Sequence, residues 1–380
     1  MQRYIDNHVK RDLAKKMVFV TGPRQVGKTT LSQMLLKAAQ GQYLNYDVAD
    51  DRAVISRAAW SAQAKLLVLD EIHKMPDWKS WLKGVYDGKP TAQQLLVTGS
   101  ARLDTFRQAG ESLAGRFFAW RLHPFSVREW CEQTHAEPEV ALTHLLERGG
   151  FPEPCLADNA EEAQRWRRQY FDGLIRNDVL EFSRLYELTA MRLFTDMLRQ
   201  RVGSPLSLAS MARDLNVSPI TLKRYLKILE ALYIVFVVRP WHHNIARATL
   251  QAPKVYFFDT GLVQGDDGVR FENLVACHLL KHIHWQQDAQ GKEVDLHYVR
   301  TKDGAEVDFC LSHKANTGDT LTHLIECKLS DAKPHRALLR FAEQWQDAQA
   351  VQVVRNLRAE QDHWRVMVRG AAQWLQGLDA

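Results

Sequence analysis

Residues 17–39 read MVFVTGPRQVGKTTLSQMLLKAA. The apolar stretch Met17 to Val20 leads into a loop rich in Gly and polar side chains, and then into an amphipathic run with helical spacing. This pattern predicts strand, loop and helix. Within it lies G-x-x-x-x-G-K-T, made by Gly22, Gly27, Lys28 and Thr29. The chemistry requires these residue types. Glycines let backbone N–H groups turn inward around phosphates, and the following helix N-terminus adds partial positive charge. The predicted nucleotide cradle is Gly22, Pro23, Arg24, Gln25, Val26, Gly27, Lys28, Thr29 and Thr30. Lys28 is expected to reach the β- and γ-phosphates, and the Thr29 hydroxyl to bind Mg²⁺. The competing reading is a glycine-rich turn in an unrelated α/β protein. The strand before and the helix after weigh against it.

A second signal agrees with the first. Residues 65–71, KLLVLDE, form an apolar strand ending in two carboxylates. Asp70 is expected to assist Mg²⁺ and Glu71 to polarise the attacking water. A third strand, LLVTGSAR, ends at Thr98 and Ser100, either of which could hold the nucleophilic water or simply cap the strand end. In LAGRFFAWRLHPFSVREW, Arg116 and Arg121 are candidates for an arginine finger acting on a neighbouring subunit's nucleotide. A surface pair with an acidic neighbour is the plainer alternative. Trp78, Trp81 and Trp120 read as core packing.

Taken together, GPRQVGKTT, LLVLDEIHKMPDW, LLVTGSARL and AGRFFAWRLHPFS resemble the AAA-type ATPases of the "archaeal ATPase" group of prokaryotes. In that family the C-terminal half is a domain of unknown function related to restriction-endonuclease-like folds. The resemblance runs over the whole chain. It implies an α/β P-loop core, ATP hydrolysis and Mg²⁺, and no settled substrate. An arginine finger would in addition imply a homo-oligomer.

The motif GGFPEP at residues 149–154 breaks the pattern and marks a boundary. Residues 165–184 look helical and basic. Leu208 to Leu215 then reads as one helix, Asn216 to Pro219 as a turn with Ser218 at the N-cap, and Ile220 to Leu232 as a second helix. A strand at Ile234 to Val238 follows, giving a helix-turn-helix with a wing-like strand. Residues 201–250 carry seven Lys/Arg against two acids, a local excess that matches the formal +5 of the whole chain. That concentration points to DNA, although winged helices also serve as interaction modules.

Phe271 to Trp285 reads as a helix carrying Glu272. Strands are expected at Glu293 to Arg300, at Ala305 to Leu311 with Asp308, and at Leu324 to Leu329 with Glu326 and Lys328. A helix, HRALLRFAEQW, and a strand, AVQVVRNL, complete the order α-β-β-β-α-β. That order, with D…E-x-K on the second and third strands, resembles the PD-(D/E)xK nuclease core. Glu326 and Lys328 are two apart, so they share a strand face. Asp308 beside Glu326 could hold a hard divalent cation that activates water against a phosphodiester. The resemblance adds Glu272 as a third carboxylate and allows Mn²⁺ as well as Mg²⁺. The plain alternative is a cross-strand charge pair. His278, His282 and His284 lack a completing carboxylate or thiol, and a surface helix end is expected there.

The expected division is therefore 1–148, an AAA-type core; 149–250, a helical and winged-helix region; and 251–380, a nuclease-like domain. The expected activity is ATP hydrolysis coupled to DNA cleavage or remodelling. The rival expectations are a regulatory nucleotide switch or a DNA-binding ATPase whose nuclease-like domain is inactive and binds a partner. The longest apolar run, Ala231 to Val238, is too short to cross a bilayer, and residues 1–13 lack a signal-peptide core. Five cysteines without C-x-x-C spacing argue against a zinc ribbon or disulfide framework. A cytoplasmic location with no membrane partner is the expectation.

Overall fold

The computed structural model describes residues 1–99, 113–174, 186–241, 252–315, 318–330 and 333–380. The chain divides into two compact units. One is Met1–His123 with Ala231–Tyr233, and the other is Pro124–Glu230 with Ile234–Ala380.

In the first unit the elements are α1 (Asp6–Leu13), β1 (Met17–Thr21), α2 (Lys28–Ala39), β2 (Gln42–Asn45), α3 (Ala49–Ser56), β3 (Leu66–Asp70), α4 (Trp78–Gly88), β4 (Gln94–Thr98) and β5 (Phe117–Arg121). The strands form a parallel sheet in the order β2-β3-β4-β1-β5. β1 and β3 are buried along their whole length, as expected of near-continuous apolar runs in a parallel sheet covered on both faces. Phe19, Leu67, Leu69, Leu95 and Val97 pack with Trp78 and Leu82 of α4, and Trp81 lies against this core. Trp120 is also buried, with its indole N–H donating to Asp12 Oδ2 at 3.0 Å. The tryptophans are packing residues, as expected. β1 and β4 are neighbours although β2 and β3 intervene in the chain. The carboxyl ends of β1, β3 and β4 therefore converge where open α/β sheets bind ligands.

The second unit opens with α5 (Val127–Thr134), α6 (Pro138–Arg148), α7 (Pro152–Cys155), α8 (Ala160–Gly173), α9 (Tyr186–Arg199), α10 (Leu208–Asp214) and α11 (Pro219–Ala231). It continues with β6 (Val235–Pro240), β7 (Lys254–Phe257), α12 (Asp267–Gln290), β8 (Val294–Arg300), β9 (Glu306–Ala315), β10 (Gly318–Lys328), α13 (Arg336–Gln344), β11 (Gln349–Val354), β12 (Gln361–His363), β13 (Val366–Gly370) and α14 (Ala371–Gln376). The sheet order is β12-β13-β11-β10-β9-β8-β6-β7. Val307, Leu324 and Ala350 pack with Leu338 and Phe341 of α13.

The α10–turn–α11 segment lies where the sequence puts it. The Ser207 hydroxyl accepts from Ser210 N at 3.3 Å, and that of Ser218 from Thr221 N at 3.0 Å. Asn216 makes the turn with φ 52°. The strand that follows lies at the expected place and forms an antiparallel pair with β7. β6 also pairs parallel with β8, as an integral strand of the large sheet. Of its VFVV core only Val237 is partly exposed, so this strand packs on both faces. Of the basic stretch 165–184, residues 175–184 lie outside the described residues, as does Arg247. Arg167 is a buried partner of Asp259 at 2.9 Å.

Two features set the geometry of this unit. At the β7 edge, Gly203 N donates to Val255 O at 3.3 Å and Leu206 N to Pro253 O at 2.8 Å, with a bridge between Pro205 and Lys254. Gly203 has φ +74°, and a Cβ there would lie 2.7 Å from Glu272 Oε1, so a larger residue would strain the backbone and displace the Glu272 carboxylate. Elsewhere, Lys281 of α12 is buried against the first turn of α5. It contacts Glu129 Oε2 and donates to Ser126 Oγ at 3.1 Å and Pro124 O at 3.2 Å.

Candidate functional site

The predicted cradle is shaped by its backbone. Gly22 has φ +146°, and a Cβ there would lie 2.3 Å from the carbonyl oxygen of Leu122. Gln25 has φ 58° and Gly27 φ 103°, so the loop takes two left-handed turns before α2 starts at Lys28. Gly27 at the N-cap offers no side chain, which leaves the first-turn N–H groups of α2 without a side-chain cap. Arg3, which sequence reasoning missed, pins this loop. Its guanidinium donates to Val26 O at 2.8 Å and to His123 O at 2.5 Å. Lys28 is buried, and its ammonium donates to Gly22 O at 3.0 Å and Pro23 O at 2.6 Å. Burial lowers its pKa to about 8 against the opposing pull of Glu71 and Asp70.

Asp70 ends β3 beside Thr98 of β4 and Asn45 of β2. Its Oδ1 accepts from Thr98 Oγ1 at 2.7 Å and from Glu71 N at 3.1 Å. Its Oδ2 accepts from the Tyr43 hydroxyl, which is also within hydrogen-bonding reach of Thr29 and Asn45. Tyr43 thus joins the surroundings of Asp70, and its hydroxyl also feels Thr29 of the predicted Mg²⁺ pair. Thr98 orients the carboxylate, a role distinct from both readings made from sequence. No local motif flags Tyr43, because its position depends on the parallel β2–β3 register. A Tyr43→Phe protein is expected to need about tenfold more Mg²⁺ for half-maximal ATP turnover. A magnesium titration that overlays the wild type would remove Tyr43 from the site.

Glu71 has a left-handed backbone, φ 54° and ψ 23°, a conformation that costs about 1–3 kcal/mol for a residue with a side chain and clusters at functional sites. Its Oε2 is buried without a hydrogen bond, 3.5 Å from His73 Nε2 and 3.9 Å from Lys74 Nζ. Burial, reinforced by Asp70, raises its pKa. A strained, half-satisfied carboxylate next to a buried lysine has the properties of a proton acceptor awaiting its substrate.

Arg116 has an acidic partner within the chain. It forms a two-pronged pair with Asp87 of α4, Nε to Oδ1 at 2.8 Å and Nη2 to Oδ2 at 3.1 Å. The acidic-neighbour alternative is the one the geometry shows. Ser100 lies outside the described residues.

In the second unit, Asp308, Glu326, Lys328 and Glu272 come together. Lys328 Nζ donates to Glu326 Oε1 at 2.7 Å, Asp308 N to Glu326 Oε2 at 3.3 Å, and Cys327 N to Asp308 Oδ2 at 2.9 Å. His335 Nδ1 lies 3.1 Å from Glu326 Oε1. Burial pushes Asp308 well up, with Glu272 and Glu326 adding to it. Burial also pushes Glu326 up, but His335 and Lys328 outweigh it and hold that carboxyl below its ordinary value. The strands β9 and β10 run longer than expected because their polar ends continue as an antiparallel hairpin, Gly318 opposite Ala315. Sequence reasoning missed Lys254 and Glu306, which join this cluster from β7 and β9. Glu306 was open to detection, being two residues before Asp308 on the same strand face. Among the described residues, no His/Cys/Asp/Glu group has the arrangement of a metal site.

His278 is not at a surface helix end. It is buried, its Nε2 accepts from Val127 N at 2.9 Å, and its Nδ1 lies 2.8 Å from Leu274 O. Burial lowers its pKa to about 4, so at neutral pH it is an uncharged cap for the first turn of α5.

Residues 14–131 match the family model described as an AAA domain, so the chain carries a P-loop ATPase domain of that kind. Residues 140–268 and 267–369 match two domains of unknown function, DUF8612 and DUF4143. An uncharacterized protein of Mycobacterium tuberculosis is 32% identical over 249 residues, which is 65% of this chain and 55% of that protein. The chain thus spans about half the length of this relative and of its Mycobacterium bovis counterpart. An uncharacterized protein of Methanocaldococcus jannaschii is 22% identical over 342 residues, 80% of this chain and 75% of that one. A Pyrococcus horikoshii Signal Transduction ATPase with Numerous Domains, with a tetratricopeptide repeat sensor, is similar at a TM-score of 0.29 and 12% identity over 77% of this chain and 48% of that one. That likeness is too loose to carry an argument. No helix among the described residues is long and apolar enough to cross a membrane.

Proposed function

We propose that the protein is a Mg²⁺-dependent ATPase that works on DNA, with the first unit hydrolysing ATP and the helix-turn-helix of the second contacting the phosphate backbone. The observation that carries the ATPase half is Glu71, a strained carboxylate with a buried oxygen that accepts no hydrogen bond, set at the strand ends beside Asp70 and Lys28. Lys28 exchanges its bonds to Gly22 O and Pro23 O for the phosphates of ATP. Glu71 takes the proton of the attacking water, and Asp70 and Thr29 would hold the magnesium, with Tyr43 orienting the Asp70 carboxylate. Bound Mg²⁺ supplies charge neutralisation on the phosphate oxygens. The DNA half rests on α11. It buries Leu222, Tyr225, Leu226 and Leu229 while Lys223, Arg224 and Lys227 stay exposed on the other side. The α-β-β-β-α-β order around Asp308 and Glu326 supports a restriction-endonuclease-like fold serving as a platform in the 251–380 region.

The test is ATP turnover with and without duplex DNA, alongside DNA binding at increasing salt. DNA is expected to stimulate turnover, and Lys223→Glu with Lys227→Glu to abolish the stimulation. Each lost phosphate contact should reduce the salt slope of binding by about 1. Turnover indifferent to DNA, with no binding at low salt, would leave a nucleotide switch that serves a protein partner.

A further inference from the structure

The carboxylate cluster of the second unit already holds a cation. Lys254 Nζ lies 2.7 Å from Glu306 Oε1, 3.6 Å from Glu272 Oε1 and 3.8 Å from Asp308 Oδ1. The residue is 1% exposed, and its ammonium sits over the Tyr298 ring at 5.3 Å. We propose that Lys254 stands where a metal-dependent nuclease would keep its divalent ion, and that this cluster is an internally neutralised ion network with no affinity for Mg²⁺ or Mn²⁺.

The bonding of each carboxylate supports this. Asp308 faces Lys254 with Oδ1 and accepts from Cys327 N with Oδ2. Glu326 accepts from Lys328 with Oε1 and from Asp308 N with Oε2. Glu306 meets Lys254 with Oε1 and accepts from Arg300 Nη1 with Oε2 at 2.9 Å. Glu272 Oε1 accepts from the Tyr256 hydroxyl at 2.7 Å. None of the cluster's carboxylate oxygens is among the buried side-chain atoms left without a partner, in contrast to Glu71 Oε2 of the first unit. A magnesium ion demands oxygens converging at about 2.0–2.1 Å. Here most of them are turned to protein donors, and a fixed positive charge occupies the space between Glu272, Glu306 and Asp308. Burial opposes the charge on Lys254, but Glu272, Asp308 and Glu306 outweigh it and hold the proton more firmly than on a free lysine. The ammonium comes from residues matched to one family model, and Asp308 and Glu326 from residues matched to another. The cluster therefore exists only where both segments are present, which hides it from a reading of either alone. This holds whether or not the first unit hydrolyses ATP.

The experiment is Mn²⁺ binding to the full chain without nucleotide, followed by electron paramagnetic resonance, for the wild type, Asp308→Asn and Lys254→Met. The expected result is that wild type and Asp308→Asn are indistinguishable. Lys254→Met is expected to gain one Mn²⁺ site, with a melting temperature that rises on Mn²⁺ addition while that of the wild type does not. A wild-type site that Asp308→Asn abolishes would overturn the proposal, as would a folded Lys254→Met protein that gains no site. If Lys254→Met fails to fold, the comparison of wild type with Asp308→Asn decides alone.

Discussion

A Glu71→Gln protein is expected to bind ATP like the wild type and to hydrolyse it about 10²–10⁴-fold more slowly, the usual contribution of a positioned general base. The amide preserves the shape of the side chain and removes its basicity. The pH profile should carry a second signature. Glu71 works as the carboxylate, and burial with the neighbouring Asp70 raises its pKa. Turnover in the wild type should therefore fall as pH drops through that raised value, and this acid limb should be missing from the residual activity of Glu71→Gln. Lys28→Ala gives the contrasting result, because it removes the group that meets the phosphates and weakens binding itself. Equal turnover in Glu71→Gln and wild type, measured under saturating Mg²⁺ and ATP, would move the base elsewhere.

The largest stability effect is expected in the second unit, from Lys281→Met. Lys281 and Glu129 are each 2% exposed, so the substitution strands a carboxylate in the interior. Breaking a buried pair from one side costs about 3–5 kcal/mol. Urea unfolding should show it as a lower midpoint. The double variant Lys281→Met with Glu129→Leu should recover much of the loss, since both charges are then gone. A single variant as stable as the wild type would mean that Glu129 reaches water or a proton on its own.

These two sites were legible to very different degrees. Gly22 to Thr30 and Asp70–Glu71 are visible because their chemistry is encoded in short runs, where spacing alone fixes which groups meet. The helices around Asn216 and Ser218 are visible for the same reason, since caps and turns act over a few residues. What stayed hidden depends on partners far along the chain. Arg116 looks like any exposed arginine until α4 brings Asp87 to it. Tyr43 is one aromatic among many until the β2–β3 register aims its hydroxyl at Asp70. Lys254 opens an apolar KVYF strand, and nothing local says that its ammonium is buried among carboxylates from β9 and α12. The D…E-x-K spacing correctly placed Asp308, Glu326 and Lys328 side by side, but spacing carries no information about which cation lies between them.

The strip Gly203–Leu206 laid along β7 has a consequence for self-association. An outer strand normally exposes a row of unpaired amide and carbonyl groups that another chain can zip onto. Here the protein covers that row with its own backbone, just before the helix-turn-helix begins. Fibre-like growth and strand exchange between copies are closed off at this margin. Copies that assemble must meet through side chains or at another border.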